Sequence, residues 1–379
     1  MNSRQRIQHA LNHQEPDRVP MMMSASRWGV ERLKKHVGGI ETDRQLMLSL
    51  GLDVWDTRGL DYKSGVGARY VGPRHFAISD DCAGNLFEFF NYQEEITENE
   101  FGPAWAMGPP SIGVDVYPTL AELETFPWPQ AEWFDFSDVR RQMEPWAEDF
   151  AIAATGASVL QHPMLFRGIE QLTLELAAEP EIAHYVIGKV TDFYCGYFER
   201  LFEEAGDLIQ IFRLADDIGA QNNLFVSPAT LEEFVAPHVR RCAQLAHRHD
   251  IRLMFHTDGN VLAAIPHLID WGVDLLDPIQ PEVPDMDATK LKQAFGDRMS
   301  FSGGVGAQEI LPRGSTQDVR AEVHRVIDIL APGGGYILAP GHPSLQMDVP
   351  PENIVAMFEA GLERGTHTSS VAPGGDHVE

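Results

Sequence analysis

From residue 151 onward, short apolar runs alternate with longer stretches of helical period. Ala151–Ala154, Leu208–Leu214 and residues 251–255, 273–276, 299–302 and 336–339 are short, apolar and flanked by turn residues, the pattern of strands buried on both faces. Met164–Arg167 reads the same way. Between these runs, Glu170–Ala178, Pro180–Ala205, Pro228–His249 and residues 261–270, 287–295, 316–330 and 350–361 space apolar side chains three and four apart, as one face of a helix requires. Strand and helix alternating through short linkers predict parallel βαβ units. At least six such units in one run favour a closed (β/α)8 TIM barrel, an α/β fold, over an open sheet.

Upstream the pattern is less regular. Ser3–Asn12 reads as a helix capped by Ser3 and closed by the polar turn His13–Asp17, and Val19–Ser24 reads as the first strand. Residues 40–150 hold aromatic clusters and turns such as Phe126-Pro127-Trp128-Pro129, and read as helices and loops decorating the barrel. The polar stretch 366–379, with its Gly and Pro, predicts a disordered tail, which leaves residues 1–365 as one domain.

Charge narrows the list of partners. The 379 residues carry 29 Lys and Arg against 56 Asp and Glu, a formal charge of −27, so nucleic acid and anionic membrane are poor partners for this surface. The three cysteines, Cys82, Cys195 and Cys242, form no close pair along the chain, which fits a reducing, cytoplasmic setting. The first residues hold no apolar run of signal-peptide type, and no stretch approaches the ~20 apolar residues of a membrane span.

In a barrel of this kind the chemistry sits where strands end. The run Ile251–Phe255 exits into His256-Thr257-Asp258-Gly259-Asn260, and two potential metal ligands spaced by two point the same way in extended chain. The last strand exits into Pro340-Gly341-His342, so a barrel could bring His342 beside that pair, a workable oxygen–nitrogen set for zinc with an open position. The other exits carry Arg167 and Glu170, then Asp216, Asp217 and Gln221, then Asp277 and Gln280, then the Gly303-Gly304 bend. Blander readings stand beside these: His256 and Asp258 as a hydrogen-bonded loop pair, Asp216 and Asp217 as turn caps. Consecutive side chains diverge in extended chain, so one of the two aspartates should face the mouth and the other the wall.

Taken together, Ala10-Leu11, Pro16-Asp17-Arg18-Val19-Pro20, Asp216-Asp217-Ile218-Gly219, Ser227-Pro228, His256-Thr257-Asp258-Gly259-Asn260, Leu338-Ala339-Pro340-Gly341-His342 and Asp348-Val349-Pro350-Pro351-Glu352-Asn353 resemble the uroporphyrinogen decarboxylase superfamily. The resemblance implies a TIM barrel and either of two activities. True decarboxylases of that superfamily carry Arg-Gln-Ala-Gly-Arg-Tyr after the first strand to grip the substrate's acid arms; here that place reads Met23-Ser24-Ala25-Ser26-Arg27-Trp28. The cobalamin-dependent methyltransferase branch binds zinc through His-x-Cys on one exit and a Cys on the last, a pattern that falls on His256, Asp258 and His342 with both cysteines replaced. The resemblance therefore implies a zinc-dependent methyltransferase acting between a small methylated ether or amine and a corrinoid, bound directly or on a small corrinoid-binding protein. Asp217 and Asp216 would be catalytic, and Gln221, Gln280, Arg167 and Glu170 would line or brace the substrate pocket. A homodimer is one expected assembly. The alternatives are a decarboxylase or lyase of a smaller acid, and a non-catalytic corrinoid- or tetrapyrrole-binding barrel.

Overall fold

A computed structural model of the chain describes residues 1–60, 65–73, 94–99, 102–107, 119–342, 344–345 and 348–364. Its centre is a seven-stranded parallel sheet: β1 (Val54–Asp56), β2 (Ala151–Ala157), β3 (Ile209–Ala215), β4 (Arg252–His256), β5 (Leu275–Ile279), β6 (Ser300–Val305) and β7 (Tyr336–Pro340), each beside the next in sequence order. The segment Pro20–Met22 lies between the two edges. Leu338 N donates to Pro20 O at 2.8 Å and Met22 N to Leu338 O at 3.0 Å, while Asp53 N donates to Met21 O at 2.8 Å. The expected first strand, Val19–Ser24, is thus a single bridge here, and its two-residue ladder, Ser24–Ala25, pairs instead with Ser344–Leu345.

The Pro16–Pro20 motif explains this anchoring. Buried Asp53 accepts from Arg6 Nη1 at 2.5 Å, from Arg18 Nη1 at 2.7 Å and from Met21 N at 2.9 Å, and Arg6 Nε donates to Asp17 at 2.7 Å. A carboxylate can be buried at this seam because two guanidiniums meet it. The opening helix, Ser3–Leu11, lies across the N-terminal ends of the strands, where Gly335 N donates to Ala10 O. Its Ile7 and Leu11 join Met22, Val54, Ala153, Ile211, Met254, Leu275 and Ile337 in one buried apolar cluster, a floor for the barrel interior.

Several expectations are corrected. The first helix is capped by Asn2, not Ser3, in a capping box with Gln5. Met164–Arg167 belongs to a helix, Gln161–Arg167, because its amide donors are capped from a distant loop described below. Pro228–His249 is two helices, Pro228–Phe234 and Ala236–Arg248, since Pro237 cannot donate into a continuous ladder. The region 40–150 contributes β1 to the sheet; three residues ending in Asp56 are too short and too polar to read as a core strand. Cys195 and Cys242, far apart in sequence, come within thiol hydrogen-bonding reach on packed helices. Cys82 and the tail 366–379 lie outside the described residues. Among the described residues, no helix is long and apolar enough to cross a membrane.

Burial also dictates the response to acid. Desolvation, with the Arg58 charge adding to it, pushes His162 down to about 3, and desolvation pushes His238 down to about 4. Both imidazoles stay neutral in the fold but charge in the unfolded chain below its ordinary value of 6.5. Their contribution is complete above that value and is lost as pH falls toward the folded values, at ~1.4 kcal/mol per pH unit each. Asp216, raised to about 6 by burial, acts oppositely and adds stability as pH falls from there to the ordinary carboxylate range. The three together predict a net loss of roughly 3 kcal/mol between about pH 6.5 and 4.5. Urea unfolding at the two ends of that window checks it, and His238→Phe should flatten the dependence.

Candidate active site

Alternation along the strands builds the site. Val54, Ala153, Ile211, Met254 and Leu275 face the barrel interior, so the residue two further along each strand faces it as well, one layer higher. Those residues are Asp56, Thr155, Arg213, His256 and Asp277, a polar layer over the apolar floor. They bond to one another. Thr155 Oγ1 donates to Asp56 Oδ2 at 2.9 Å, and Arg58 N donates to Asp56 Oδ1 at 2.8 Å. Arg213 bridges the layer, 3.6 Å from Asp56 Oδ2 and 3.3 Å from Asp277 Oδ2. His256 Nδ1 lies 2.9 Å from the same Asp277 oxygen. Burial would raise the Asp277 carboxyl, but the His256 hydrogen bond and the Arg213 charge outweigh it and hold it at about 2.

Above this layer the exits of β3 and β4 converge. Ligand atoms of Asp217, His256 and Asp258 all lie within 4.8 Å of one another. Two glycines allow it. A Cβ on Gly219 would sit 2.4 Å from Asp258 O, and one on Gly259, at φ +86°, 2.7 Å from Ala220 O. The loops therefore pack backbone to backbone, and Asp258 N donates to Asp217 Oδ1 at 3.0 Å. Asp258 Oδ1 accepts from Gln280 Nε2 at 2.8 Å, and its Oδ2 lies 3.4 Å from His342 Nε2. Burial pushes the Asp258 carboxyl up, yet the His342 hydrogen bond and the two imidazoles bring it below its ordinary value. His342 thus reaches Asp258 from the last strand, while the tighter triple has Asp217 as its third member.

Asp216 and Asp217 diverge. Asp216 is fully buried and accepts from Ser158 Oγ at 2.6 Å and from the amides of Val159, Leu160 and Gln161 at 2.9, 2.7 and 2.7 Å. It caps the helix Gln161–Arg167 from across β2 and β3. Asp217 is half-buried, with Gln161 Nε2 donating to its Oδ2 at 3.1 Å. The structure gives Asp216 to the wall and Asp217 to the mouth.

The remaining expected residues separate in the same way. Arg167 is fully buried but pairs with Glu175, not Glu170: its Nε is 3.0 Å from both Glu175 oxygens and its Nη2 2.5 Å from Oε1. Glu170 is exposed in the first turn of the helix Ile169–Ala178. Glu175, eight residues after Arg167, faces back to it, a contact that the break at Gly168 makes and that sequence spacing hides. Glu175→Ala should cost ~3–5 kcal/mol in chemical denaturation, the scale for leaving a buried charge unpaired, whereas Glu170→Ala should stay within ~0.5 kcal/mol. Gln221 is exposed on the β3 exit loop. Gln280 is buried, and both ends of its amide are engaged, Oε1 accepting from Gly259 N at 2.7 Å. Arg213 and Asp56 were not anticipated; the available signal was a charged residue two places after an inward apolar one.

The family described as Uroporphyrinogen decarboxylase (URO-D) matches residues 151–363. Among curated proteins, a uroporphyrinogen decarboxylase of Xanthomonas oryzae pv. oryzae is 25% identical over 198 residues, 48% of this chain and 49% of that protein. The methylated-thiol–coenzyme M methyltransferase of Methanosarcina mazei is 26% identical over 152 residues, 40% of this chain and 38% of that protein. The matches thus span about half or less of these relatives' length. A solved methyltransferase from Methanosarcina mazei superposes with a TM-score of 0.63 at 17% identity, covering 96% of this chain and 99% of that one, a likeness of fold.

Proposed function

The chain belongs to the uroporphyrinogen decarboxylase family, and from that premise we propose that it is a zinc-dependent methyltransferase on a closed eight-stranded barrel. It moves a methyl group between a small methylated ether or amine and a corrinoid. The observation that carries this reading is the convergence of Asp217, His256 and Asp258 within 4.8 Å at the strand ends. An imidazole with two carboxylates is a set suited to a zinc-like ion with positions left open. Charge supports it as well. Asp56 and Asp277 are met by the guanidiniums of Arg58 and Arg213, while Asp217 and Asp258 stand beside His256, where a divalent ion would balance their charge.

His256, Asp258 and Asp217 would hold the ion, with His342 bracing Asp258 or entering as a further ligand. When bound, it would supply Lewis-acid stabilisation to the heteroatom that loses or gains the methyl group. The oxygen and nitrogen donors make a harder site than one with thiolates, which favours ether or amine substrates over thiols. Asp217, at the mouth, would give one carboxylate oxygen to the ion and hold or move the substrate's proton through the other. The corrinoid, bound directly or on a partner protein, would be the methyl carrier.

The relatives also include decarboxylases, which favours a second reading. Against it, Arg58 and Arg213 are already bound to Asp56 and Asp277, and a polycarboxylate substrate would leave buried charge unpaired. Elemental analysis with a methylcobalamin titration tests the proposal: about one zinc per chain and demethylation of methylcobalamin, or methylation of its reduced form, are expected. Full activity without metal, or coproporphyrinogen formed from uroporphyrinogen, would overturn it.

A further inference from the structure

The two residues that the exit of β4 presents to the mouth are each held by a side chain from the next strand exit. Asp277, the third residue of β5, meets His256 Nδ1 at 2.9 Å through an oxygen that Arg213 Nη2 also approaches, at 3.3 Å. Gln280, three residues on, donates to Asp258 Oδ1 at 2.8 Å and accepts from Gly259 N at 2.7 Å. Asp277 and Gln280 are both buried; Asp277 turns Oδ2 to His256 and Arg213, and Gln280 spends both ends of its amide on the β4 exit loop.

We propose that Asp277 and Gln280 are positioning residues that preset His256 and Asp258 as metal ligands, in place of the substrate-binding role that the sequence suggests for Gln280. An ionised carboxylate can only accept, so the hydrogen bond to Asp277 places the imidazole proton on Nδ1 and leaves the Nε2 lone pair for the mouth. Gln280 occupies one oxygen of Asp258 and so fixes the other, Oδ2, as the one presented. Arg213, with Nη2 3.3 Å from the same Asp277 oxygen, fixes that carboxylate in the barrel interior. The adjacency is geometric: Asp277 is the register partner of His256 across the β4–β5 ladder. The inference rests on the metal reading above and deepens it.

Two measurements on the full chain separate the inference from that reading. The first is the tautomer of His256 in metal-free protein, read by long-range proton–nitrogen NMR and assigned by its loss in His256→Ala. A single form protonated on Nδ1 is expected, giving way to a mixture in Asp277→Asn. A wild-type ring protonated on Nε2 overturns the inference whether or not the protein binds zinc. The second is zinc affinity by competition with a chromogenic chelator. Asp277→Asn and Gln280→Met should each weaken it by ~10–100-fold, the usual effect of removing a partner behind a metal ligand. Should Asp277→Asn fail to fold, Gln280→Met carries this arm, because it keeps the side-chain volume and leaves the Arg213–Asp277 pair intact. Wild-type affinity in a folded Gln280→Met, or in Asp277→Asn, overturns the assignment for that residue while leaving the metal site standing. A wild type that takes up no zinc overturns the metal reading itself, and the inference with it.

Discussion

His256→Ala is expected to lose at least ~10²-fold in zinc affinity, more than the ~10–100-fold attached to an outer partner, and to lose methyl transfer with it. The reason is positional. His256 is the one nitrogen donor in the triple with Asp217 and Asp258, and its ring is backed by Asp277 at 2.9 Å. Removing it leaves two carboxylates and a void, a weaker set for zinc, which favours nitrogen and sulfur ligands in closed sites. The geometry also ranks the neighbours. Asp217→Ala should reduce metal content more than His342→Ala, because His342 contacts Asp258 at 3.4 Å without joining the tighter triple. Elemental analysis after exhaustive dialysis measures all three variants. Retention of full metal by His256→Ala would sink the site; the reverse ranking would make His342 the third ligand, as the family pattern implies.

Asp216→Asn and Asp217→Asn should fail in opposite ways. Asp216 accepts four hydrogen bonds in a fully buried place, three of them from consecutive amides at the start of a helix. An amide group there turns an NH2 toward N–H donors, and each buried donor left unpaired costs ~1–3 kcal/mol. The variant should therefore lose about 3 kcal/mol or more of stability, seen as a lower melting temperature and urea midpoint. Asp217 is half-buried and accepts one amide, from Asp258, and one side-chain donor, from Gln161. An asparagine keeps the first through its carbonyl, and a turned Gln161 amide can accept from its NH2. Stability should change little, while turnover should fall by ~10²-fold or more, the scale for losing an acid–base group. A folded Asp217→Asn with near-normal turnover would reduce Asp217 to loop structure. A stable Asp216→Asn with lost turnover would move the chemistry to Asp216.

Local pattern was enough wherever burial repeats at a short period. The helix Thr316–Leu330 falls on the span its apolar spacing predicts, and β3 to β7 each lie within a few residues of an apolar run, because one buried face imposes a period of two or of 3.6 whatever lies beyond it. The pairing of His256 with Asp258 was readable for the same reason: two residues apart at a strand end is a statement about one strand. Tertiary structure alone decided what those residues meet. Met164–Arg167 is helical because Asp216, from another strand exit, caps the amides before it. Arg167 answers Glu175 and not Glu170 because Gly168, at φ +94°, turns the chain between two helices. Asp217 reaches Asp258, 41 residues away, because two glycines let their loops touch. Asp277 meets His256 because parallel strands align them across the ladder. Sequence encodes which face a residue turns inward; which charges then share that interior depends on strand register and loop contact, and those exist only once the sheet has formed.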